Sequence, residues 1–118
     1  MERIRRLPLF EFLPVGIGIH EARGFRGRLL GLAFLDPGDG DDALLIRRCR
    51  SVHTFGMRFR IDVVFVDRDW HVVRIARDVG PRRMLRCREA AAVIEVAAGE
   101  GDRLRGSLSL WRARAGGS

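Results

Sequence analysis

The chain of 118 residues contains no lysine, asparagine, glutamine or tyrosine, so arginine supplies all 22 of its basic side chains. Without lysine, the protein cannot form a Schiff base or use the lysine of a phosphate-binding P-loop. Without tyrosine, it has no phenolic acid or base. Acid–base, nucleophilic and metal-binding chemistry is therefore left to histidine, cysteine, aspartate, glutamate, serine and threonine.

Cysteine is scarce, and long apolar runs are missing. Two cysteines are too few for a disulfide scaffold, and no stretch is long and apolar enough to cross a bilayer. The first 20 residues are basic and then apolar, as in a signal peptide, but Glu11 and two prolines interrupt them and no clean cleavage site follows. We therefore expect a cytoplasmic protein without a membrane span.

Length and composition predict one globular domain over residues 1–118. We divide it into an N-terminal segment 1–13, a core 14–111 and a frayed tail 112–118. The net charge is 22 − 15 = +7, which favours an acidic partner or a polyanion. A solvated surface on which arginine replaces lysine is the alternative explanation.

Apolar alternation predicts several short strands. VGIGI, ALLIRR and VIEV each have this character, although the alanines around VIEV also favour a helix. In MRFRIDVVFV, Phe59, Ile61 and Val63 lie on one side, and residues 63–66 are apolar on both, which predicts a central strand. HVVRIARDV follows after a short polar break and completes a predicted β-hairpin. A last strand is predicted over residues 104–111.

One segment has helical rather than β periodicity. Phe25, Leu29 and Leu32 stand at i, i+4 and i+7, which forms one stripe of a helix. The predicted fold is therefore β-rich α+β. We expect a small curled sheet or barrel-like domain of about six to eight strands with one main helix.

Two segments, SVHTFGMRFRIDVVFVD and VIEVAAGEGDRL, carry a resemblance to a known family. Together with RGFRGRLLGL and ALLIRR, they make residues 14–110 similar to the family catalogued as domain of unknown function 192, uncharacterised small proteins of bacteria and archaea. Many members have proline where this chain has Arg60. The resemblance implies a compact, mostly β fold and implies no reaction.

The segment HTFGM is the best candidate for a pocket. Gly56 permits a bulge or the close approach of a ligand, and His53 can donate to an anionic group while Arg58 adds charge. A histidine satisfied within a bulged strand is the alternative. The ligand-binding candidates are His53, Thr54, Met57, Arg58, Asp62, Arg82 and Arg83.

Cys49 and Cys87 are candidates for a thiol pair, and separate buried thiols are the alternative. Together with His53 they offer two sulfurs and an imidazole to zinc, but a fourth ligand is missing. On an extended strand, Cys49 and His53 stand about 13 Å apart. We therefore predict no metal and no cofactor.

The acidic and nucleophilic residues do not form a complete catalytic set. Asp62 lies among apolar residues, so we expect it to pair with an arginine if it is buried. Cys49 or Ser51 with His53 as a base lacks the glycine-flanked serine turn of hydrolases. An enzyme using Cys49, His53 or Asp62 is kept as an alternative, and a non-enzymatic domain is favoured.

The leading functional hypothesis is a domain that binds a small anionic ligand or a protein partner. The cleft would be built from SVHTFGM, the predicted helix and the basic loop 82–88. Four arginines in that loop, with Arg47, Arg48 and Arg50 nearby, favour RNA or DNA binding as an alternative. Nucleic acid is the less favoured partner, because no reading motif or exposed aromatic set is evident.

Overall fold

The computed structural model describes residues 2–3, 9–22, 35–36, 41–54 and 59–116. The helix predicted around Phe25, Leu29 and Leu32 lies outside these residues, as do Gly56, Met57 and Arg58. The described elements are the strands β1 (Glu2–Arg3), β2 (Leu9–Leu13), β3 (Ile17–Glu21), β4 (Leu35–Asp36), β5 (Asp42–Arg47), β6 (Ser51–His53), β7 (Ile61–Val66), β8 (Val72–Val79), β9 (Met84–Arg86) and β10 (Ala92–Ala97), and the helix α1 (Gly101–Gly116).

Six strands form the main sheet, in the order β2-β3-β5-β10-β7-β8. β3 and β5 run parallel, and the other neighbouring pairs are antiparallel. β6 pairs with β9, and β1 pairs with β4, in two small sheets. The β-rich α+β class is confirmed, as are the strands ALLIRR and VIEV and the hairpin of β7 and β8.

The main sheet is covered on both faces, as the apolar run of β7 predicted. All six residues of β7 are buried. On one face, Phe65 packs in a cluster with Leu85 of β9. On the other, Val64 packs in a cluster with Leu104 of α1. The central position of β7 follows, because a strand with two buried faces needs a layer on each side.

The last predicted strand is wrong, because residues 101–116 form an α-helix. Leu104, Leu108 and Trp111 stand at i, i+4 and i+7 and pack against the sheet. Leu110, whose alternation with Leu108 suggested a strand, is 49% exposed. Asp102 lies in the first turn of α1. The packing of this helical apolar stripe on the sheet stabilises a helix more than the short alternation of apolar and polar residues over 107–110 stabilises a strand.

The first predicted strand begins later than VGIGI suggested. Pro14 opens a 3-10 turn over Pro14–Gly16, and β3 starts at Ile17. Val15 has a φ of 58°, which is rare for a β-branched residue. Its side chain is 58% exposed, so it does not share the buried face of Ile17 and Ile19. Proline at the start of the turn separates Val15 from the strand.

Candidate functional site

Thr54 joins the end of β6 to the loop that follows β8. Its hydroxyl donates to the carbonyl of Gly80 at 2.7 Å and accepts from the backbone N–H of Arg83 at 2.8 Å. The N–H of Thr54 donates to the carbonyl of Arg83 at 2.9 Å. The hydroxyl, predicted to bind a ligand, therefore uses both its donor and an acceptor position inside the protein.

The basic loop lies beside SVHT, as the leading hypothesis requires. β6 and β9 form an antiparallel pair in which His53 stands opposite Met84 and Ser51 opposite Arg86. His53 is half-buried, whereas Arg82 and Arg83 are exposed. This pairing brings together the residues of one predicted cleft, and their role in binding stays a prediction.

Asp62 is buried, but the arginine partner predicted for it is wrong. One carboxylate oxygen accepts from the N–H of Asp78 at 2.8 Å. The other accepts from the N–H groups of Gly99 at 3.1 Å and Gly101 at 2.8 Å. Among the described residues, no arginine forms an ion pair with it. The N-terminus of α1 exposes N–H groups that need acceptors, and Asp62 supplies one from a distant strand.

The hydrogen bond to Asp62 requires glycine at position 101, because a side chain there would collide with the carboxylate. A Cβ atom at position 101 would stand 2.8 Å from Oδ2 of Asp62 and 3.1 Å from Cγ2 of Ile75. The aspartate of IDVVF and the glycine of EGD thus touch each other. Asp62 and Gly101 belong to the two segments that carry the family resemblance. Their contact shows that these two segments, far apart in the chain, meet in the fold.

The two cysteines are free and buried in the same apolar cluster. The thiol of Cys49 donates to the carbonyl of Ser51 at 2.9 Å. The sulfur of Cys87 lies 3.6 Å from a carboxylate oxygen of Glu89. Each thiol therefore has an acceptor within two residues of itself.

A cavity of about 380 Å³ lies where β5, β7 and β10 meet the turn between β7 and β8. We call it the arginine cavity. His53, Thr54, Asp62, Arg82 and Arg83 are not among its lining residues. It is lined by Arg47, Arg48, Asp67, Arg68, Trp70, Ala91 and Ala92.

The three arginines of this cavity differ in their partners. Arg47 lies 3.8 Å from a carboxylate oxygen of Glu21, and its guanidinium stands 5.4 Å from the ring centre of Phe10. Arg48 and Arg68 are exposed and make no hydrogen bond or ion pair through their side chains with any residue that the structure describes. Two guanidinium groups at the cavity are therefore not neutralised by the described part of the protein.

Asp67 is the single carboxylate among the described residues of the lining. Its Oδ1 accepts from the N–H groups of Asp69 and His71, both at 2.9 Å, and lies 3.6 Å from Nδ1 of His71. Desolvation raises the pKa of Asp67, but the hydrogen bonds from His71 and Asp69 outweigh it and hold the pKa below its ordinary value. The described walls of the cavity therefore carry three cations and one anion.

Trp70 gives the cavity an aromatic wall held by α1. Its ring lies 5.3 Å from that of Phe10 and 6.1 Å, edge to face, from that of Trp111. Its carbonyl accepts from Arg112 at 2.9 Å. Trp70 and Arg68 were not among the predicted site residues, because they lie in a turn where Trp70 has a φ of 67°. The polar break DRDW was the available signal.

No helix within the described ranges has the length and apolar character that crossing a membrane requires. None of the curated proteins matches this chain.

Two solved structures share its fold. A protein of unknown function from Novosphingobium aromaticivorans DSM 12444 has a TM-score of 0.66 and 22% identity, over 75% of this chain and 68% of that one. A protein from Sinorhizobium meliloti 1021, described as a candidate transcription regulator, has a TM-score of 0.65 and 23% identity, over 75% of this chain and 74% of that one. The model of the DUF192 family, described as "Uncharacterized ACR", matches residues 15–106. These residues include the Asp62–Gly101 contact, and the chain belongs to the DUF192 family.

Proposed function

We propose that this protein binds a small anion in the arginine cavity. The observation that carries the proposal is the pair of exposed guanidinium groups, on Arg48 and Arg68, that line one cavity without a partner among the described residues. Guanidinium groups bind carboxylates and phosphates through paired, charge-assisted hydrogen bonds. A bound anion would supply the negative charge that both groups lack.

The proposal keeps the ligand class expected from the sequence and changes the location. SVHTFGM was the expected location, and the arginine cavity lies at residues 47–48, just before that segment. One feature supports the change: the hydroxyl of Thr54, which was expected to bind the ligand, already makes hydrogen bonds with Gly80 and Arg83.

The alternative that the protein is an enzyme receives less support, because two of its candidate residues already make hydrogen bonds inside the protein. The carboxylate of Asp62 carries three backbone hydrogen bonds, and the thiol of Cys49 is buried against a carbonyl. A general acid or nucleophile needs an atom that reaches a substrate. The carboxylate of Asp62 and the thiol of Cys49 instead make hydrogen bonds within the fold.

The test is a titration with inorganic phosphate and with citrate, followed by calorimetry and by thermal shift. We expect saturable binding of at least one probe to the natural protein. Arg48→Ala and Arg68→Ala should each weaken it about tenfold or more, because each removes one charge-assisted contact.

Arg83→Ala is the matched control. It removes the same charge from the opposite end of the β7–β8 hairpin, close to the cleft expected from the sequence. The proposal fails if neither anion binds, or if Arg83→Ala weakens binding as much as Arg68→Ala does.

Polyanion binding is the second candidate. Arg50, Arg86 and Arg88 are exposed on or beside β6 and β9, and their side chains pair with no carboxylate of the described residues. The description of the Sinorhizobium meliloti relative as a candidate transcription regulator favours the same class of ligand. An arginine surface on a small sheet suits contacts to successive phosphates.

Fluorescence anisotropy with a labelled DNA duplex and with an RNA strand separates the two candidates. Polyanion binding predicts an affinity that falls steeply with salt and falls further in the double variant Arg86→Ala/Arg88→Ala. Loss confined to Arg48→Ala and Arg68→Ala, or no binding at low salt, would exclude the β6–β9 surface.

A further inference from the structure

A second cavity, of about 410 Å³, lies along β2 and β3. Its side walls are apolar, since Leu9 and Phe12 line it while remaining 57% and 64% exposed. Contact between large apolar side chains and water is unfavourable, so a ligand that covers both side chains is stabilised by their burial. Two of the six large apolar side chains that are exposed among the described residues thus lie together at one concave place.

The floor of this cavity is polar and buried. Nε2 of His20 lies 3.3 Å from Oδ1 of Asp42, and both side chains are 8% exposed. His20 lies in β3, which runs parallel to β5 so that Gly18 stands opposite Asp42. Two adjacent strands therefore deliver an imidazole and a carboxylate to the same point.

Gly18 stands directly beside this pair. A Cβ atom there would stand 3.3 Å from Nε2 of His20, 3.5 Å from Oδ1 of Asp42 and 3.6 Å from Cδ1 of Leu9. The space over Gly18 consequently borders the imidazole, the carboxylate and an apolar wall at the same time. A ligand group placed there reaches polar and apolar atoms together.

The charges around this cavity differ from those of the arginine cavity. Asp41 and Asp42 both line it. Arg103 pairs with Asp41 at 3.0 Å, donates to the carbonyl of Val15 at 2.6 Å and lies 3.9 Å from Glu100. The carboxylate of Asp42, buried at the floor, disfavours an anionic ligand beside it.

We infer that this cavity binds a small neutral molecule that is mostly apolar and carries one hydroxyl group. A hydroxyl both donates and accepts, so it can donate to the carboxylate of Asp42 and, beside Nε2 of His20, accept from that nitrogen when it carries the proton or donate to it when it does not. The apolar body would cover Leu9 and Phe12. Small-molecule sites commonly combine apolar walls with a few polar groups that fix orientation.

The test uses 4-fluorophenol and fluorobenzene, which share their apolar body and differ in the hydroxyl. Fluorine NMR titration should show saturable binding of 4-fluorophenol and binding of fluorobenzene weaker by about tenfold, the effect of one hydrogen bond to a charged acceptor. 4-Fluorobenzoate should bind more weakly than 4-fluorophenol, because its charge opposes those of Asp41 and Asp42. Equal binding of the phenol and fluorobenzene, or no saturable binding, overturns the inference.

Gly18→Val fills the space beside His20 and should abolish the binding of 4-fluorophenol. Gly106→Ala is the matched control, since a Cβ atom there meets nothing within 4 Å. Should Gly18→Val fail to fold, Phe12→Ser, at a 64% exposed position, should weaken binding several-fold. Unchanged binding in the folded variant tested contradicts the inference. Arg48→Ala should leave this binding intact, so the inference stands or fails independently of the anion proposal.

Discussion

The two ends of the β7–β8 hairpin each carry an aspartate that accepts backbone hydrogen bonds, and they use it differently. Asp62 is buried and takes its donors from Asp78, Gly99 and Gly101, which are 16 to 39 residues away. Asp67 is half-buried and takes its donors from Asp69 and His71 within its own turn. The first aspartate joins distant elements, whereas the second shapes a turn at the rim of a cavity.

The arginines at the two ends differ in the same way. At the Asp62 end, Arg77 donates two hydrogen bonds to Asp102, which also accepts from Arg105. At the Asp67 end, Arg48 and Arg68 have no such partner among the described residues. Arg77 is therefore neutralised by a neighbouring carboxylate, whereas Arg48 and Arg68 keep their positive charge available at a cavity.

Replacement of Asp62 should have the largest effect on stability. Asp62→Ala removes the acceptor of three N–H groups, two at the buried N-terminus of α1 and one in β8, and we expect a loss of about 3 kcal/mol or more. Asp67→Ala, the matched change at the other end, should cost about 1 kcal/mol. Urea unfolding followed by circular dichroism measures both, and equal losses would contradict the distinction between the two ends.

A side chain at position 101 should have the next largest effect. Gly101→Val would bring Cβ to 2.8 Å from Asp62, and we expect a loss of about 2 kcal/mol through overpacking. Gly106→Ala, inside the same helix with free space around it, should instead stabilise the protein by up to about 1 kcal/mol. The thermal midpoints of the two variants should therefore move in opposite directions.

Removal of the Thr54 hydroxyl should have a moderate effect. Thr54→Val leaves the carbonyl of Gly80 and the N–H of Arg83 without that partner, at a cost of about 1–2 kcal/mol. Thr54→Ser keeps the hydroxyl and should retain most of the stability. Hydrogen exchange of the Arg83 amide should quicken in the valine variant alone; slow exchange there would show that the hydroxyl does not hold the loop.

Acid should reveal the smallest effect. The pKa of Asp67 is lowered in the folded state from its ordinary value of 3.8, so the unfolded state takes up its proton at higher pH. The associated stability is present above the ordinary pKa and is lost as pH falls through the lowered one. Asp67→Asn should therefore show a shallower loss of stability below about pH 4. An unchanged slope would mean that Asp67 contributes nothing.

Much of the sheet could be predicted from the sequence, since its central elements have strong local patterns. The fully apolar run 63–66 and its hairpin with residues 72–79 appear where expected. The C-terminal helix was missed because Leu108 and Leu110 alternate, and only docking of Leu104 and Leu108 on the sheet decides their period. The partner of Asp62 was missed for a related reason: backbone N–H groups are present at every residue and give no sequence signal.

The sequence by itself pointed to an anionic ligand, because 22 arginines and no lysine put planar, permanently charged groups at every basic position apart from the histidines. It also determined the buried central strand, through apolar residues on both faces. Only the tertiary structure decided which arginines remain unpaired and which polar groups meet. Ion pairing depends on distances of a few ångströms between segments far apart in the chain, and periodicity within one segment does not specify them.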